Sequence, residues 1–313
     1  MSTLYAFNQG AIYLSPAPQY HSAPVGFTMA VMLFGGTVVV LEPFDAEGVL
    51  RAIETYKVTH AQYVPTHFVR LLNLPEAVRS RYYLSSLRYA IHAAAPCPPE
   101  VKQRIMAWWG PILHEYYGGC ERFGLSSIGP QDWLAHRGSV GRSRMGPVHI
   151  VDPDTGQELP PHEIGLIYFE NTAGFAYHKD PAKTAEALTT AGWGTHGDMG
   201  WLDEDGFIYL ADRQSNMIIS GGVNIYPQEI ENLLIGHPAV ADVAVIGVPN
   251  AEFGEEVKAV VRPTDLAAAS EALAAELIAL CRAELAGFKC PSTVDFVDAF
   301  PRNPKGMSRS MLK

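Results

Sequence analysis

The stretch GTVVVLEPFDAEGVLRAIETYKVTHAQYVP, residues 36–65, places a helical pattern between two short apolar runs. Those runs, GTVVVLE at 36–42 and HAQYVP at 60–65, are typical of buried strands. The pattern recurs between about residues 11 and 121. It adds strand candidates LRYAIHAAA at 87–95 and PILHEYYG at 111–118, with the helical segment PPEVKQRIMAWWG between them. Strands that alternate with helices predict a parallel α/β sheet.

Two further textures follow this region. From about Gly138 to Leu210, short strands are separated by turn signals such as Asp-Pro-Asp-Thr-Gly and Asp-Glu-Asp-Gly, which predicts a β-rich subdomain. Beyond Arg213, a helix start at Pro227, two apolar strands and a helix from about Glu271 to Leu285 predict a small α+β domain. We therefore expect an α/β core with a β-rich subdomain over residues 1–213 and a small mobile domain over 214–313.

Composition excludes several classes of protein. The 313 residues are 48% hydrophobic and carry a formal net charge of -10, which argues against an electrostatic partnership with nucleic acid or anionic lipid. The four cysteines lack the spacing of a zinc site or a disulfide framework. The first ten residues lack the pattern of a secretion signal, and the apolar stretch from about Phe27 to Leu41 is too short and too broken by glycine for a membrane span. We expect a soluble cytoplasmic protein.

Four other stretches carry a resemblance that no single one would establish. They are YYGGCERFG at 116–124, WGTHGDMGWLDEDGFIYLADR at 193–213, MIISGGVNIYPQEIE at 217–231 and PRNPKGMSRSMLK at 301–313. In order and spacing they resemble the acyl- and aryl-CoA synthetases of the ANL superfamily of adenylate-forming enzymes. The resemblance implies a reaction of a small-molecule carboxylic acid with ATP, Mg²⁺ and CoA, which yields acyl-CoA, AMP and pyrophosphate.

The resemblance also implies an adenine site. Tyr117, followed by Gly118, stands where the family stacks an aromatic ring on adenine. Ala94, Ala95 and Pro96 correspond to the loop on the other side of the purine.

The ribose and phosphate groups have their own counterparts. Asp198 matches the ribose clamp, because one carboxylate accepts hydrogen bonds from two hydroxyls, and Arg213 matches an arginine that reaches the nucleotide. Glu121 matches the family's catalytic magnesium-binding glutamate, since this hard cation prefers carboxylate oxygen. Cys120 and His196 occupy places where threonine is usual, and a thiol is a weaker donor than a hydroxyl.

Other positions correspond to the acceptor site, the hinge and the acid pocket. The loop Ser220, Gly221 and Gly222 matches the segment that borders the CoA tunnel, where missing side chains let a narrow ligand pass. Ser215 corresponds to the hinge residue. His21 and Phe123 match positions near the acyl pocket.

Two features depart from the family pattern. The family's phosphate loop, rich in glycine and Ser/Thr, would lie upstream of His21, and the sequence contains no such stretch. We expect the N-terminal part of the core to be absent or supplied by another polypeptide, either a partner or a second copy in a homodimer. The family's catalytic lysine follows the glycine of the terminal motif directly, but here Met307 follows Gly306, and Lys305 is the candidate replacement cation.

Three functions remain open at this point. The chain is an acid–CoA ligase, a ligase that loads a carrier protein instead, or a non-catalytic relative that binds nucleotide or CoA or complements a partner chain.

Overall fold

A computed structural model describes residues 2–170, 172, 174–303, 306–307 and 311–312. The strands β1 to β18 are Ile12–Ser15, Thr37–Val40, His60–Tyr63, Tyr89–His92, Leu113–Gly118, Leu125–Ile128, Ser139–Ser143, Val148–Val151, Gly165–Phe169, Gly194–Leu202, Ile208–Arg213, Ile218–Ser220, Val223–Ile225, Val240–Asn250, Gly254–Pro263, Thr293–Phe296, Arg302–Asn303 and Gly306–Met307. The helices α1 to α10 are Ser2–Tyr5, Ser22–Leu33, Ala46–Tyr56, Pro65–Leu72, Glu76–Arg79, Pro99–Trp109, Pro130–Ala135, Pro181–Ala187, Pro227–Leu234 and Glu271–Glu284. Short 3₁₀ turns cover Gln214–Asn216, Leu266–Ala268 and Gly287–Lys289.

The chain divides into two compact units. The first comprises Met1–Val148, Phe169–His196 and Leu202–Tyr209, and the second comprises His149–Tyr168, Gly197–Trp201 and Leu210–Lys313. The boundary predicted at residues 213 and 214 therefore does not coincide with this division, and it stays a prediction about the family's functional domains.

The first unit is built on a sheet in which β2, β1, β3, β4 and β5 are neighbours and parallel. Strands β6 and β7 continue it antiparallel, and Ile208 and Tyr209 of β11 pair with β7. Successive residues of β1 face opposite sides: Tyr13 packs in one buried cluster and Leu14 in another. The mixed α/β prediction is confirmed.

Local sequence explains the helix that follows β2. Asp45 caps α3 by accepting a hydrogen bond from the Gly48 amide at 2.8 Å, and Lys57 ends the helix in the left-handed conformation. Val49, Leu50 and Ile53 lie on the buried face, as the apolar spacing predicts.

The expected strand at 87–95 is too long. Strand β4 ends at His92, and Ala94 has a φ of 77°, which turns the chain out of the sheet. The alanine run is therefore a loop at the end of the strand.

The second unit contains the parts of strands β8 to β11 that fall within its ranges. In the sheet these strands are neighbours in the order β11, β10, β9, β8. Its second sheet has the order β13, β12, β15, β14, with β16 parallel to β15. Helices α9 and α10 contribute Ile230, Leu234, Leu277 and Cys281 to one buried cluster with this sheet. The start of α9 at Pro227 confirms the predicted helix start.

Candidate active site

Parallel strand ends position the candidate nucleotide loops. Strands β1, β3, β4 and β5 run in the same direction, so their carboxyl ends lie at one edge of the sheet. His21 follows β1, the Ala94–Pro96 loop follows β4, and Tyr117 lies at the end of β5. The sheet thus gathers candidates that are almost 100 residues apart at one edge.

A buried ion pair anchors β5 below this edge. Lys102 of α6 donates to Glu115 of β5 at 2.6 Å, and both side chains are buried. Burial raises the pKa of the Glu115 carboxyl, although the adjacent Lys102 ammonium opposes that shift. Removing one partner would leave the other charge buried, so the pair holds helix and strand together.

The adenine-site candidates differ in exposure. Ala94 and Ala95 are exposed and Pro96 is half-buried. The half-buried ring of Tyr117 lies edge-on to His196, with 6.1 Å between ring centroids, and is tilted against Phe169 at the same distance. Gly118 is exposed and lies opposite Leu125 in the β5–β6 pair.

Glu121 is the best-supported candidate for binding a cation. Its Oε1 accepts a hydrogen bond from the Tyr177 hydroxyl at 3.0 Å, and its Oε2 lies 3.5 Å from Nδ1 of His196. Partial burial raises the pKa of the Glu121 carboxyl, but hydrogen bonds from its own amide and Tyr177, with nearby His196, outweigh burial and hold that pKa below its ordinary value. The carboxylate is therefore ionised and oriented at neutral pH.

His196 packs against the loop that carries Glu121. The Gly119 amide donates to His196 Nε2 at 3.2 Å, and the ring stacks on Phe123 with 5.3 Å between centroids. A Cβ at position 119 would lie 2.4 Å from His196 Nδ1 and 2.7 Å from Glu121 Oε2. Only glycine fits there without displacing these two side chains.

Ser22, the residue after His21, lies beside Cys120. The Cys120 thiol lies 3.3 Å from the Ser22 hydroxyl, within hydrogen-bond distance for sulfur. His21 is the exposed residue that precedes α2, and its ring contacts Tyr20 at 4.4 Å. The loop after β1 therefore adjoins the loop after β5.

Phe123 is fully buried. Its ring contacts Phe175 edge-on at 4.5 Å as well as His196. The predicted role of Phe123 beside the acid stays a prediction, and the observed packing makes it a support for His196.

The ribose-clamp candidate and the junction arginine form an ion pair in the second unit. Nε of Arg213 lies 3.3 Å from Oδ1 of Asp198, and the Asp198 side chain is 12% exposed whereas that of Arg213 is 67% exposed. A mostly exposed guanidinium beside an almost buried carboxylate can bind a second anionic group such as a phosphate.

The candidate acceptor loop is a tight hairpin. Ser220 and Val223 pair across it, and Gly221 and Gly222 have φ values of 57° and 80°, which favour glycine. The Gly221 amide donates to the Phe253 carbonyl at 2.8 Å. The hairpin is thereby fixed to the β14–β15 turn.

The hinge candidate Ser215 lies in an exposed 3₁₀ turn beside a buried carboxylate. Asp212 accepts hydrogen bonds from the Arg213 amide at 2.6 Å, the Asn216 side chain at 2.9 Å and the Gln228 amide at 2.9 Å. Asp212 therefore ties this turn to the start of α9.

Lys305 lies outside the described residues. Of the terminal motif, the backbone of Met307 pairs antiparallel with Arg302, and Gly306 pairs with Asn303.

Sequence reasoning missed three contributors to these sites. Tyr177 lies outside the quoted motifs, and Gly119 and Asp212 lie within them without an assigned role, because each acts through a partner that folding brings near.

Within the described ranges, no group of three or more His, Cys, Asp or Glu residues is suited to hold a metal ion. Magnesium bound with a nucleotide needs only one or two carboxylates, because phosphates and water supply the other oxygens. A single oriented Glu121 therefore fits magnesium delivered with ATP. Nor does any helix in the described residues have the length and apolar character to span a membrane.

Comparison with known proteins assigns the family. The chain matches the model of the AMP-binding enzyme family over residues 1–176, more than half of its length, and that of the AMP-binding enzyme C-terminal domain over 229–306. The chain belongs to this family of adenylate-forming enzymes.

Individual relatives are longer than this chain. A feruloyl-CoA synthase from Amycolatopsis sp is 35% identical over 303 residues, which are 94% of this chain and 59% of that protein. The amide bond synthetase McbA from Marinactinospora thermotolerans has 32% identity and a TM-score of 0.86 over 98% of this chain and 63% of its own. The o-succinylbenzoate CoA synthetase MenE from Bacillus subtilis, solved with the acyl-adenylate OSB-AMP, has 27% identity and a TM-score of 0.84 over 100% of this chain and 62% of its own.

Proposed function

We propose that the chain belongs to an acid–CoA ligase that activates a carboxylic acid with ATP and passes the acyl group to CoA. In the first step, a carboxylate oxygen attacks the α-phosphorus, which forms the acyl-adenylate and releases pyrophosphate. In the second, the CoA thiolate attacks the acyl carbon and AMP leaves. The observation that carries the proposal is the oriented, ionised Glu121 carboxylate at the sheet edge where the Tyr117 and Ala94–Pro96 loops also end.

The roles follow from chemistry and position. Tyr117 and the Ala94–Pro96 loop would enclose adenine, and Asp198 would accept from the ribose hydroxyls. Glu121 would hold Mg²⁺, which would supply positive charge to offset the negative charge of the leaving pyrophosphate.

The acid and acceptor have their own candidates. His21 and Phe123 would border the acid, and the hairpin Ser220–Gly222 would border CoA. We also propose a cytoplasmic setting, on the widely spaced cysteines.

The second candidate function is that this chain performs only part of the ligase reaction or none of it. The place of the family's lysine holds Met307. This substitution favours a chain that binds nucleotide or CoA without completing adenylation, or that needs a second chain. In that case a partner, or a second copy in a homodimer, would supply the phosphate loop.

Acceptor identity is a separate question. Likeness to an amide bond synthetase favours testing amines besides thiols, and a carrier-protein thiol remains a third acceptor.

Exchange of labelled pyrophosphate into ATP, with a panel of aliphatic and aromatic acids, tests the proposed function. Acid-dependent exchange is the expected result for a ligase; AMP binding without exchange with any acid supports the non-catalytic candidate. Mass spectrometry of products with free CoA, carrier protein and amines then identifies the acceptor.

A further inference from the structure

Two side chains from distant parts of the chain, Tyr177 and His196, contact the Glu121 carboxylate. We propose that His196 is a positioning residue that presents Glu121 to magnesium-bound ATP. The inference rests on the proposed function, because it assumes that Glu121 holds Mg²⁺ with the nucleotide.

Hydrogen bonding to the Gly119 amide assigns the tautomer of the His196 ring. A backbone amide only donates, so Nε2 of His196 is the acceptor in the 3.2 Å contact with Gly119. In the neutral ring the proton therefore resides on Nδ1. That atom lies 3.5 Å from Glu121 Oε2, close enough for electrostatic attraction but without the geometry of a hydrogen bond.

The two carboxylate oxygens have separate neighbours. Oε2 faces His196, and Oε1 accepts from the Tyr177 hydroxyl at 3.0 Å. Each carboxylate oxygen can accept about two hydrogen bonds. The Tyr177 hydrogen bond, the bond from the Glu121 amide and the His196 contact therefore orient the carboxylate and still leave acceptor capacity for a cation.

The ring itself is immobilised by packing. The His196 side chain is only 4% exposed and is stacked on the fully buried Phe123. Tyr117 contacts the same ring edge-on. The imidazole thus links the candidate adenine platform to the candidate metal ligand.

Threonine, which is frequent at this position in the family, lacks such a ring. The threonine side chain is short and has no ring that could stack on Phe123. In this chain the imidazole also occupies the space in which a Cβ of residue 119 would lie, so Gly119 and His196 form a matched pair.

The expected consequence is specific to the metal-bound nucleotide. Loss of a group that orients a metal ligand commonly lowers metal affinity about 10- to 100-fold. We expect His196→Thr to reduce the gain in ATP affinity that Mg²⁺ provides by about 10-fold. AMP affinity, which needs no metal, should fall by less, since only the edge contact of the ring with Tyr117 is lost.

Calorimetric titration of the full chain with AMP, with ATP plus EDTA and with ATP plus Mg²⁺ tests this inference. Binding of Mn²⁺ with ATP, followed by electron paramagnetic resonance, gives a second readout. His196→Gln supplies one amide acceptor and one amide donor, so we expect it to retain more of the gain than His196→Thr. Tyr177→Phe removes the other donor and should also reduce the gain.

His136→Asn is the matched control. His136 pairs with Asp203 at 3.0 Å and stacks on Phe207, so its surroundings resemble those of His196, but neither of these partners is a candidate site residue. Thermal unfolding of each variant establishes that it is folded. We expect His136→Asn to leave both AMP affinity and the magnesium-dependent gain unchanged.

The possible outcomes distinguish a failure of the proposed His196 role from a failure of the proposed function. A wild-type chain that binds AMP but gains no ATP affinity from Mg²⁺ overturns the role of His196 and leaves the nucleotide site standing. A wild-type chain that binds neither nucleotide overturns both. Equal losses of AMP and magnesium–ATP affinity in His196→Thr, or an unchanged gain in that variant, would also overturn the positioning role.

Discussion

At the scale of single residues, Gly119 has little freedom to vary. Its ideal Cβ position lies within 2.4–2.7 Å of atoms in His196 and Glu121, which are themselves fixed by Phe123 and Tyr177. We expect Gly119→Ala to lower the free energy of unfolding by about 1–3 kcal/mol, the usual cost of overpacking. Chemical denaturation monitored by fluorescence measures the change.

Gly26→Ala is the control for this prediction. Gly26 lies within α2, and a Cβ there would meet no atom within 4 Å. Alanine favours helix over glycine by about 1 kcal/mol, so stability should rise or stay unchanged. Equal stability of the Gly119 and Gly26 variants would contradict the close packing described at Gly119.

At the scale of elements, the turn between β10 and β11 depends on Asp203. This carboxylate accepts from the Phe207 amide at 2.8 Å, the Tyr209 hydroxyl at 3.2 Å and His136 Nδ1 at 3.0 Å. Burial raises the pKa of Asp203, but these hydrogen bonds outweigh burial and lower that pKa below its ordinary value. The lowered pKa makes the turn sensitive to acid.

The sign of this effect follows from linkage. A carboxyl whose pKa is lower in the folded state stabilises the fold above its unfolded pKa, and this stabilisation is lost as pH falls through the folded value. We expect Asp203→Asn to cost about 1 kcal/mol at pH 7 and less near pH 3. Urea unfolding at the two pH values measures it; a cost that grows on acidification would refute the assignment.

Turns and helix ends indicate how far the sequence alone predicts this structure. The Asp45 cap, the Asp-Glu-Asp-Gly turn and the start at Pro227 follow from residues within a few positions, and the structure contains all three. Of the four strands that gather the nucleotide loops, β3, β4 and β5 follow from the alternation of helix and strand, whereas β1 was not predicted. Local chemistry and apolar periodicity therefore predict elements better than the meeting of candidates at one edge of the sheet.

Contacts within the candidate site depend on tertiary folding instead. Tyr177 and Glu121 are 56 positions apart, and Gly119 and His196 are 77 apart. No periodicity relates such positions, because their distance depends on how separate segments pack. The contact of Phe123 with His196 shows the same limit, since these residues are far apart in sequence and the stacked pair forms only on folding.

At the scale of the whole molecule, nucleotide affinity should depend on adenine and ribose contacts. These contacts do not require a phosphate loop, of which the 313 residues contain no example. We expect AMP to bind more tightly than ATP, and Tyr117→Ala to weaken AMP binding about 10-fold, since stacking on an aromatic ring contributes about 1–3 kcal/mol. Asp198→Ala should weaken AMP binding as well.

Glu121→Gln is the comparison for AMP binding. Its candidate partner is a cation on the phosphates, so AMP affinity should hardly change in this variant. Calorimetry gives all the affinities. ATP binding clearly tighter than AMP in the wild-type chain, or a larger loss of AMP affinity from Glu121→Gln than from Tyr117→Ala, would contradict the assignment.

The last prediction concerns motion of residues 214–313 about the segment from Arg213 to Asn216. By resemblance, the family uses different faces of this domain for its two half-reactions, with a pivot at Ser215. Asp212 lies before that pivot and accepts from the Gln228 amide after it, so rotation at Ser215 would break this hydrogen bond. We therefore expect Asp212 to restrain the motion and Asp212→Ala to release it.

Electron–electron distance measurements between spin labels at Tyr83 and Leu266 test this prediction, because both positions are exposed and each lies in a different compact unit. We expect an acyl-adenylate analogue and CoA to favour different distances, and Asp212→Ala to broaden the distribution without ligand. Asp203→Ala serves as the control. Asp203 lies in the turn between β10 and β11 and is hydrogen-bonded to His136 and Tyr209, both of which precede Ser215. One unchanged distance under all conditions would exclude the rotation, and a shift with ligands that Asp212→Ala does not alter would place the restraint elsewhere.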